Sequence, residues 1–141
     1  MIKSVLFVCN MNSVRSPMAA AILEHDARGK MRVDSAGVYE GGLDPFIGAV
    51  LGEAGMILGD YEPKAITDTR LDSFDLVIAL TPEAAGELRR SMAREKIEYW
   101  PIDNPSDAIG GREALLNAYR AVRDDLRARI QVRFPGLYEK P

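Results

Sequence analysis

The chain has 141 residues, 47% of them hydrophobic, and a formal net charge of −3. This size and apolar content predict one domain, over residues 1–141, with a full core. The mild acidity argues against nucleic-acid and membrane-surface partners, which favour basic surfaces, and without a signal-like or spanning apolar segment we expect a cytoplasmic protein.

One cysteine and one histidine restrict the chemistry of the chain. With Cys9 alone, neither an intramolecular disulfide nor a cysteine zinc cluster can form. His25 falls on the polar side of a predicted helix, where a solvated residue is the ordinary interpretation. We therefore expect no metal and no cofactor, and a nucleophilic Cys9 would have to be activated without an imidazole.

Hydrophobic patterning predicts strands that alternate with helices. Short apolar runs predict strands at residues 3–8, 31–36, 74–80 and 96–100. Capping residues and helical spacing predict helices at residues 16–28, 44–55, 81–93 and 112–134. Ser16 is expected to cap the first helix, and Thr81 the third. The last helix carries an apolar stripe of Leu115, Tyr119, Val122, Leu126 and Ile130, which should pack on the sheet.

This order of elements predicts an α/β fold with a central four-stranded parallel sheet and helices on both faces. Ligands of such sheets bind beyond the carboxyl ends of the strands. We expect three loops to meet there: the one at Cys9, the one after Ser35 and the one around Asp103.

The loop between the first strand and the first helix is the candidate site. It starts at Cys9 and ends at Arg15 and Ser16, and its inner residues are Asn10, Met11, Asn12, Ser13 and Val14. Backbone N–H groups of such a loop can surround a tetrahedral oxyanion, and the Arg15 guanidinium fits two of its oxygens. The same positive field favours a Cys9 thiolate, to which the Ser16 hydroxyl can donate.

The segment Val8–Pro17, VCNMNSVRSP, resembles the phosphate loop of the low-molecular-weight protein tyrosine phosphatase family, which also includes related arsenate reductases. The segments 34–37 and 100–105 resemble the family's second-strand motif and its acid-bearing segment, so the resemblance covers nearly the whole chain. It implies phosphoryl transfer without metal, through a cysteinyl phosphate on Cys9 held by Arg15, with Asn12 and Ser35 supporting the loop.

The chain departs from the family at the general acid. The family's acid is the aspartate of an Asp-Pro pair, and here Asn104 precedes Pro105. Because an amide is a poor proton donor, we expect the neighbouring Asp103 to take the role, with Asp107 a poorer candidate. The following Ser106 is small and gives an open mouth, which weakens the case for tight phosphotyrosine selection.

A second departure concerns redox chemistry, because Val14 stands where the family often has a second cysteine. Thioredoxin-coupled arsenate reductases pass oxidation along three cysteines, and this chain has one. That route is excluded by count. A reductase that uses a small external thiol needs only one protein cysteine and stays open.

Three functions follow from these residues. We expect first a phosphomonoester hydrolase of the tyrosine phosphatase type, acting on a phosphorylated protein or a small phosphomonoester. The alternatives are a single-cysteine arsenate reductase and a binding module for phosphate or phosphoprotein without catalysis. All three place inorganic phosphate or a similar oxyanion in the loop.

Overall fold

The computed structural model describes residues 1–11, 14–42, 44–59 and 62–139. The strands are β1 (Ser4–Cys9), β2 (Arg32–Gly37), β3 (Leu76–Ala79) and β4 (Ile97–Tyr99). The α-helices in these ranges are α1 (Arg15–Ala27), α2 (Pro45–Glu53), α3 (Pro82–Ser91) and α4 (Arg112–Arg133). Single 3₁₀ turns connect them at residues 66–68, 71–73, 94–96, 105–107 and 135–138.

The sheet has the order β2-β1-β3-β4, and every pairing is parallel. Strand β1 is central and buried along its whole length. Its side chains alternate between two apolar clusters. Phe7 belongs to the cluster that contains residues of α1, α2 and α4, whereas Leu6 and Val8 belong to the cluster that contains residues of α3. The predicted α/β fold, with helices on both faces, is confirmed.

The first helix does not begin as predicted. It starts at Arg15, its cap position is Val14, and no side chain caps it. Ser16 is fully buried within the first turn, where its hydroxyl contacts Cys9 Sγ. The predicted cap of α3 is present, because Thr81 accepts from the Ala84 N–H, and α2 is capped in the same way by Asp44, which accepts from the Phe46 N–H.

A buried carboxylate fastens the C-terminal part of the chain to α1. The Asp26 side chain is 3% exposed and accepts hydrogen bonds from the Arg127 guanidinium at 3.1 and 3.3 Å. The Tyr138 hydroxyl donates to the same carboxylate at 2.6 Å. Burial alone would raise the pKa of Asp26, but hydrogen bonds from Tyr138, His25 and Arg127 outweigh it and hold that pKa below its ordinary value.

We predict that Asp26→Asn lowers the free energy of unfolding by about 2 kcal/mol at neutral pH, because a buried charge-assisted cluster is broken. The native carboxylate has a lowered pKa, so its contribution is complete above the ordinary value of 3.8 and is lost as the pH falls through the native value. Urea unfolding at several pH values should therefore show that the difference in free energy of unfolding between wild type and variant becomes smaller in acid.

The matched control is Asp125→Asn, which removes a 48% exposed partner of Arg129 on the surface of α4. This change should lower the free energy of unfolding by less than about 0.5 kcal/mol. An equal loss in both variants, independent of pH, would contradict the assignment of Asp26.

Candidate oxyanion site

The ends of the strands meet at one edge of the sheet. Cys9, the last residue of β1, lies opposite Gly37 of β2. On its other side, the Leu80 N–H donates to the Val8 carbonyl at 2.8 Å, and the Ile102 N–H donates to the Leu80 carbonyl at 3.1 Å. These bonds continue the ladder past the strands, so the segments that follow all four strands lie side by side.

The carbonyls of Cys9 and Asn10 face the segment that follows β2, and the N–H groups of the same two peptides face away from that segment. The Val38 and Tyr39 N–H groups donate to the carbonyls of Cys9 and Asn10 at 2.9 and 2.8 Å. In a trans peptide the N–H points opposite to the carbonyl, so the N–H groups of Asn10 and Met11 are directed away from that segment. Adjacent N–H groups that point the same way can bind an anion.

Two of the predicted phosphate-binding residues, Asn12 and Ser13, lie outside the described residues, as does Leu43 beyond the loop's neighbouring segment. Val14 is buried, and its carbonyl accepts the Met18 N–H at 3.1 Å, which makes it the entry into α1. Met11, by contrast, is 45% exposed at the surface of the site.

The Cys9 sulfur has a hydroxyl partner. Cys9 is 2% exposed, and its Sγ lies 3.0 Å from Ser16 Oγ, which in turn lies 3.2 Å from the Ala36 carbonyl oxygen. A Cys9 thiol can donate to Ser16 Oγ while the hydroxyl donates to Ala36. A thiolate can accept the same hydroxyl proton. Ser16 is therefore able to serve Cys9 in both protonation states.

Arg15 joins the loop to the segment that was expected to carry the acid. It is half-buried in the first turn of α1, and its Nη1 donates to the Ile102 carbonyl at 3.1 Å. A guanidinium has five N–H donors, and this bond uses one of them. The contact brings Arg15 next to residue 103.

Asp103, the expected acid, and its neighbour Asn104 lie in different surroundings. Asp103 is exposed and directly follows the buried Ile102. Asn104 caps the 3₁₀ turn at 105–107, and its Oδ1 accepts from the Ser106 N–H at 3.2 Å and from the Ser106 hydroxyl at 2.8 Å. The amide at the family's acid position thus has a structural role, and the exposed carboxylate beside it is Asp103.

Ser35 lies in β2, beside the strand that leads into the loop. It is 3% exposed and pairs with Phe7 in the register of β1 and β2, so its side chain is on the face of the sheet that Cys9 also uses. Its predicted partner Asn12 is outside the described residues, so a tie between the two stays a prediction.

The sequence profile of the low molecular weight phosphotyrosine protein phosphatase family matches residues 4–132. The chain belongs to this family.

Several relatives of the chain are arsenate reductases. An arsenate reductase of Shouchella clausii is 33% identical over 129 residues, which are 92% of this chain and 93% of that protein. A solved structure of an arsenate reductase in the phosphate-binding state is 26% identical to this chain, with a TM-score of 0.76, and the match covers 96% of this chain and 99% of that one. Members of the family therefore bind oxyanions.

The fold is also that of the low molecular weight protein tyrosine phosphatase from T. tengcongensis, which has a TM-score of 0.82 at 23% identity and covers 95% of this chain and 99% of its own. That likeness concerns the fold. Membership of the family does not by itself decide between phosphatase and reductase.

Two contacts of the loop that starts at Cys9 were not predicted from the sequence. The Thr81 hydroxyl donates to Asn10 Oδ1 at 2.5 Å. Gly41 lies against Met11, where a Cβ atom would stand 2.2 Å from the Met11 carbonyl oxygen. The pairs Thr81-Pro82 and Gly41-Gly42 are visible in the sequence. Their contacts with the loop, however, depend on which strands are neighbours in the sheet.

We predict that Gly41→Ala weakens phosphate binding by about tenfold or more, because the new methyl group displaces the Met11 carbonyl and with it the loop. Isothermal titration with inorganic phosphate measures the effect. The control is Gly42→Ala, whose Cβ has no atom within 4 Å. Equal affinities in the two variants would show that the loop does not depend on this close approach.

Proposed function

We propose that the chain reduces arsenate, with Cys9 as the nucleophile and a small external thiol as the reductant. The observation that carries the proposal is a loop with its cysteine, hydroxyl and guanidinium in place beside an acid position occupied by a capping amide. The relatives named arsenate reductases support it as well.

An amide instead of a carboxylate at residue 104 should slow arsenate reduction less than it slows hydrolysis of a phosphomonoester. Hydrolysis of an ester expels an alkoxide or phenoxide, which needs a proton from a positioned acid. The leaving oxygen of arsenate belongs to the substrate itself and already carries a proton in the arsenate ions present at neutral pH. It needs one further proton, from water or the exposed Asp103, to leave as water. A site that has kept its nucleophile and lost the family acid is suited to the second reaction.

The first step forms a bond between Cys9 Sγ and arsenic(V) and breaks one arsenic–oxygen bond, releasing water. In this step, Arg15 and the loop N–H groups hold the remaining oxygens. In the second step, an external thiolate forms a disulfide bond with Cys9 Sγ. The electron pair of the sulfur–arsenic bond leaves with arsenic, which departs as arsenite.

The last step restores Cys9. A second external thiol attacks the mixed disulfide, and Cys9 leaves as a thiolate, which the Ser16 hydroxyl at 3.0 Å can stabilise. The balance is two thiols oxidised to one disulfide, and one water formed, for each arsenate reduced. The chain's one cysteine suffices, because both reducing equivalents come from outside.

Phosphomonoester hydrolysis, the function that the sequence alone favours, is the second candidate. It is favoured by the match to the phosphatase family and by Asp103, which follows the Ile102 carbonyl that Arg15 binds. Both reactions start with attack by Cys9 on a tetrahedral oxyanion. They differ in what completes the cycle, water or a thiol.

We predict that the wild-type chain forms arsenite from arsenate with at least one small thiol, and that two thiols are oxidised per arsenite. Cys9→Ser should abolish both, because the serine hydroxyl is a poor nucleophile at neutral pH and cannot form the disulfide. Arsenite and thiol are measured together against a panel of low-molecular-weight thiols.

Two other outcomes would replace the proposal. A stoichiometric burst with an activated aryl phosphate, without arsenite from any thiol, would make the chain a phosphatase. Phosphate binding with neither burst nor arsenite would make it a binding module.

We further predict that Asn104→Asp increases hydrolysis of phosphotyrosine by about 100-fold, the lower range of general acid catalysis. The turn should persist, because a carboxylate oxygen can accept from the Ser106 N–H as the amide does. Hydrolysis of an activated aryl phosphate should rise less, since its leaving group needs no proton. The ratio of the two rates is the measurement.

Asp103→Ala is the companion variant. If Asp103 supplies the proton in the native chain, this change slows phosphotyrosine more than the activated ester. Equal slowing of the two substrates would show that Asp103 has no part in proton transfer.

A further inference from the structure

The Thr81 hydroxyl makes two hydrogen bonds to different parts of the chain. It accepts the Ala84 N–H at 3.0 Å, which caps α3, and it donates to Asn10 Oδ1 at 2.5 Å. Thr81 is 2% exposed, so water does not compete with either bond. One buried hydroxyl therefore connects the start of α3 to the residue that follows the nucleophile.

Asn10 is held from both sides of β1. Its carbonyl accepts the Tyr39 N–H at 2.8 Å, on the side of β2. Its side chain accepts the Thr81 hydroxyl, on the side of β3. With both ends fixed, the peptides before and after Asn10 can rotate little, and their N–H groups keep the direction in which an anion can bind them.

We propose that Thr81 is a positioning residue for the oxyanion loop, acting through the Asn10 side chain. The inference rests on the proposed function only in that the loop binds a tetrahedral oxyanion. Thr81 acts without touching that anion. It fixes the residue whose N–H does, so its loss weakens binding of the anion in every later step.

A capping role alone would not require this residue type. Aspartate, asparagine, serine and glycine all serve at the start of a helix. Asn10 Oδ1 needs a donor, and an ionised aspartate or a glycine has none to offer. Serine keeps both bonds. Variants at residue 81 can therefore separate the cap from the bond to Asn10.

The experiment is a double-mutant cycle on phosphate binding, with Thr81→Val, Asn10→Ala and the double variant, measured by isothermal titration. Each single change should raise the Kd for inorganic phosphate by about 5- to 10-fold, the effect of one hydrogen bond. The double variant should bind no more weakly than the weaker single variant, because both remove the same bond.

Three further variants separate a positioning role of Thr81 from a general loss of folding. Thr81→Ser should bind phosphate within about twofold of the wild type, because it restores both bonds. Thr81→Gly preserves the start of α3 without a hydroxyl and replaces Thr81→Val if that variant fails to fold. Ser91→Ala removes a hydroxyl bond to the Glu87 carbonyl at the far end of α3 and should leave the Kd unchanged.

The outcomes separate this inference from the proposed function. If the wild type binds phosphate and the variants at residues 81 and 10 bind it equally well, or if their effects add, Thr81 has no positioning role. If the wild type itself does not bind phosphate, the proposed function is overturned, and the role of Thr81 with it.

Discussion

The contact between Cys9 Sγ and Ser16 Oγ, at 3.0 Å, is the constraint on which the site depends. It joins the end of a buried strand to the first turn of a helix across the loop. Ser16 lies inside the first turn of α1, which begins at Arg15, so its hydroxyl faces Cys9 from the helix and Ser16 is not the cap residue. That start places the guanidinium where it reaches the Ile102 carbonyl. The Cys9–Ser16 contact and the Arg15–Ile102 bond thus join the end of β1, the first turn of α1 and the segment that contains Asp103.

The sheet order completes the arrangement, because β1 has a neighbour on each side. The β2 side supplies the N–H groups of residues 38 and 39 to two loop carbonyls, and the β3 side supplies the Leu80 N–H and the Thr81 hydroxyl. The loop is therefore held by its carbonyls and one side chain, which leaves backbone N–H groups for an anion. A central strand is required for this, since an edge strand would lack one of the two supports.

Much of this arrangement could be predicted from sequence, because it depends on local patterns. The apolar run before Cys9, the Thr-Pro cap and the alternation of elements predicted the fold and the position of the loop. Two kinds of feature could not be predicted. Ser16 has a good capping propensity that a tertiary contact overrides, and the reach of Gly41 and Thr81 to the loop depends on residues more than 25 positions away. From the resemblance, the sequence predicts an amide, Asn104, at the position of the family's acid, but the role of Asn104 as a cap required coordinates.

The burial of the sulfur bears on the reductant that the proposed reaction would use. Cys9 is 2% exposed, although Met11 and Tyr39 beside the loop are 45% and 55% exposed. An external sulfur must approach Cys9 by the path that the oxyanion takes, since the other side of the thiol is packed against the core. A cysteine on a folded protein would have to bring its own backbone into that path. A small thiol has no such obstacle, so the depth of the nucleophile favours a low-molecular-weight reductant for the step that releases arsenite.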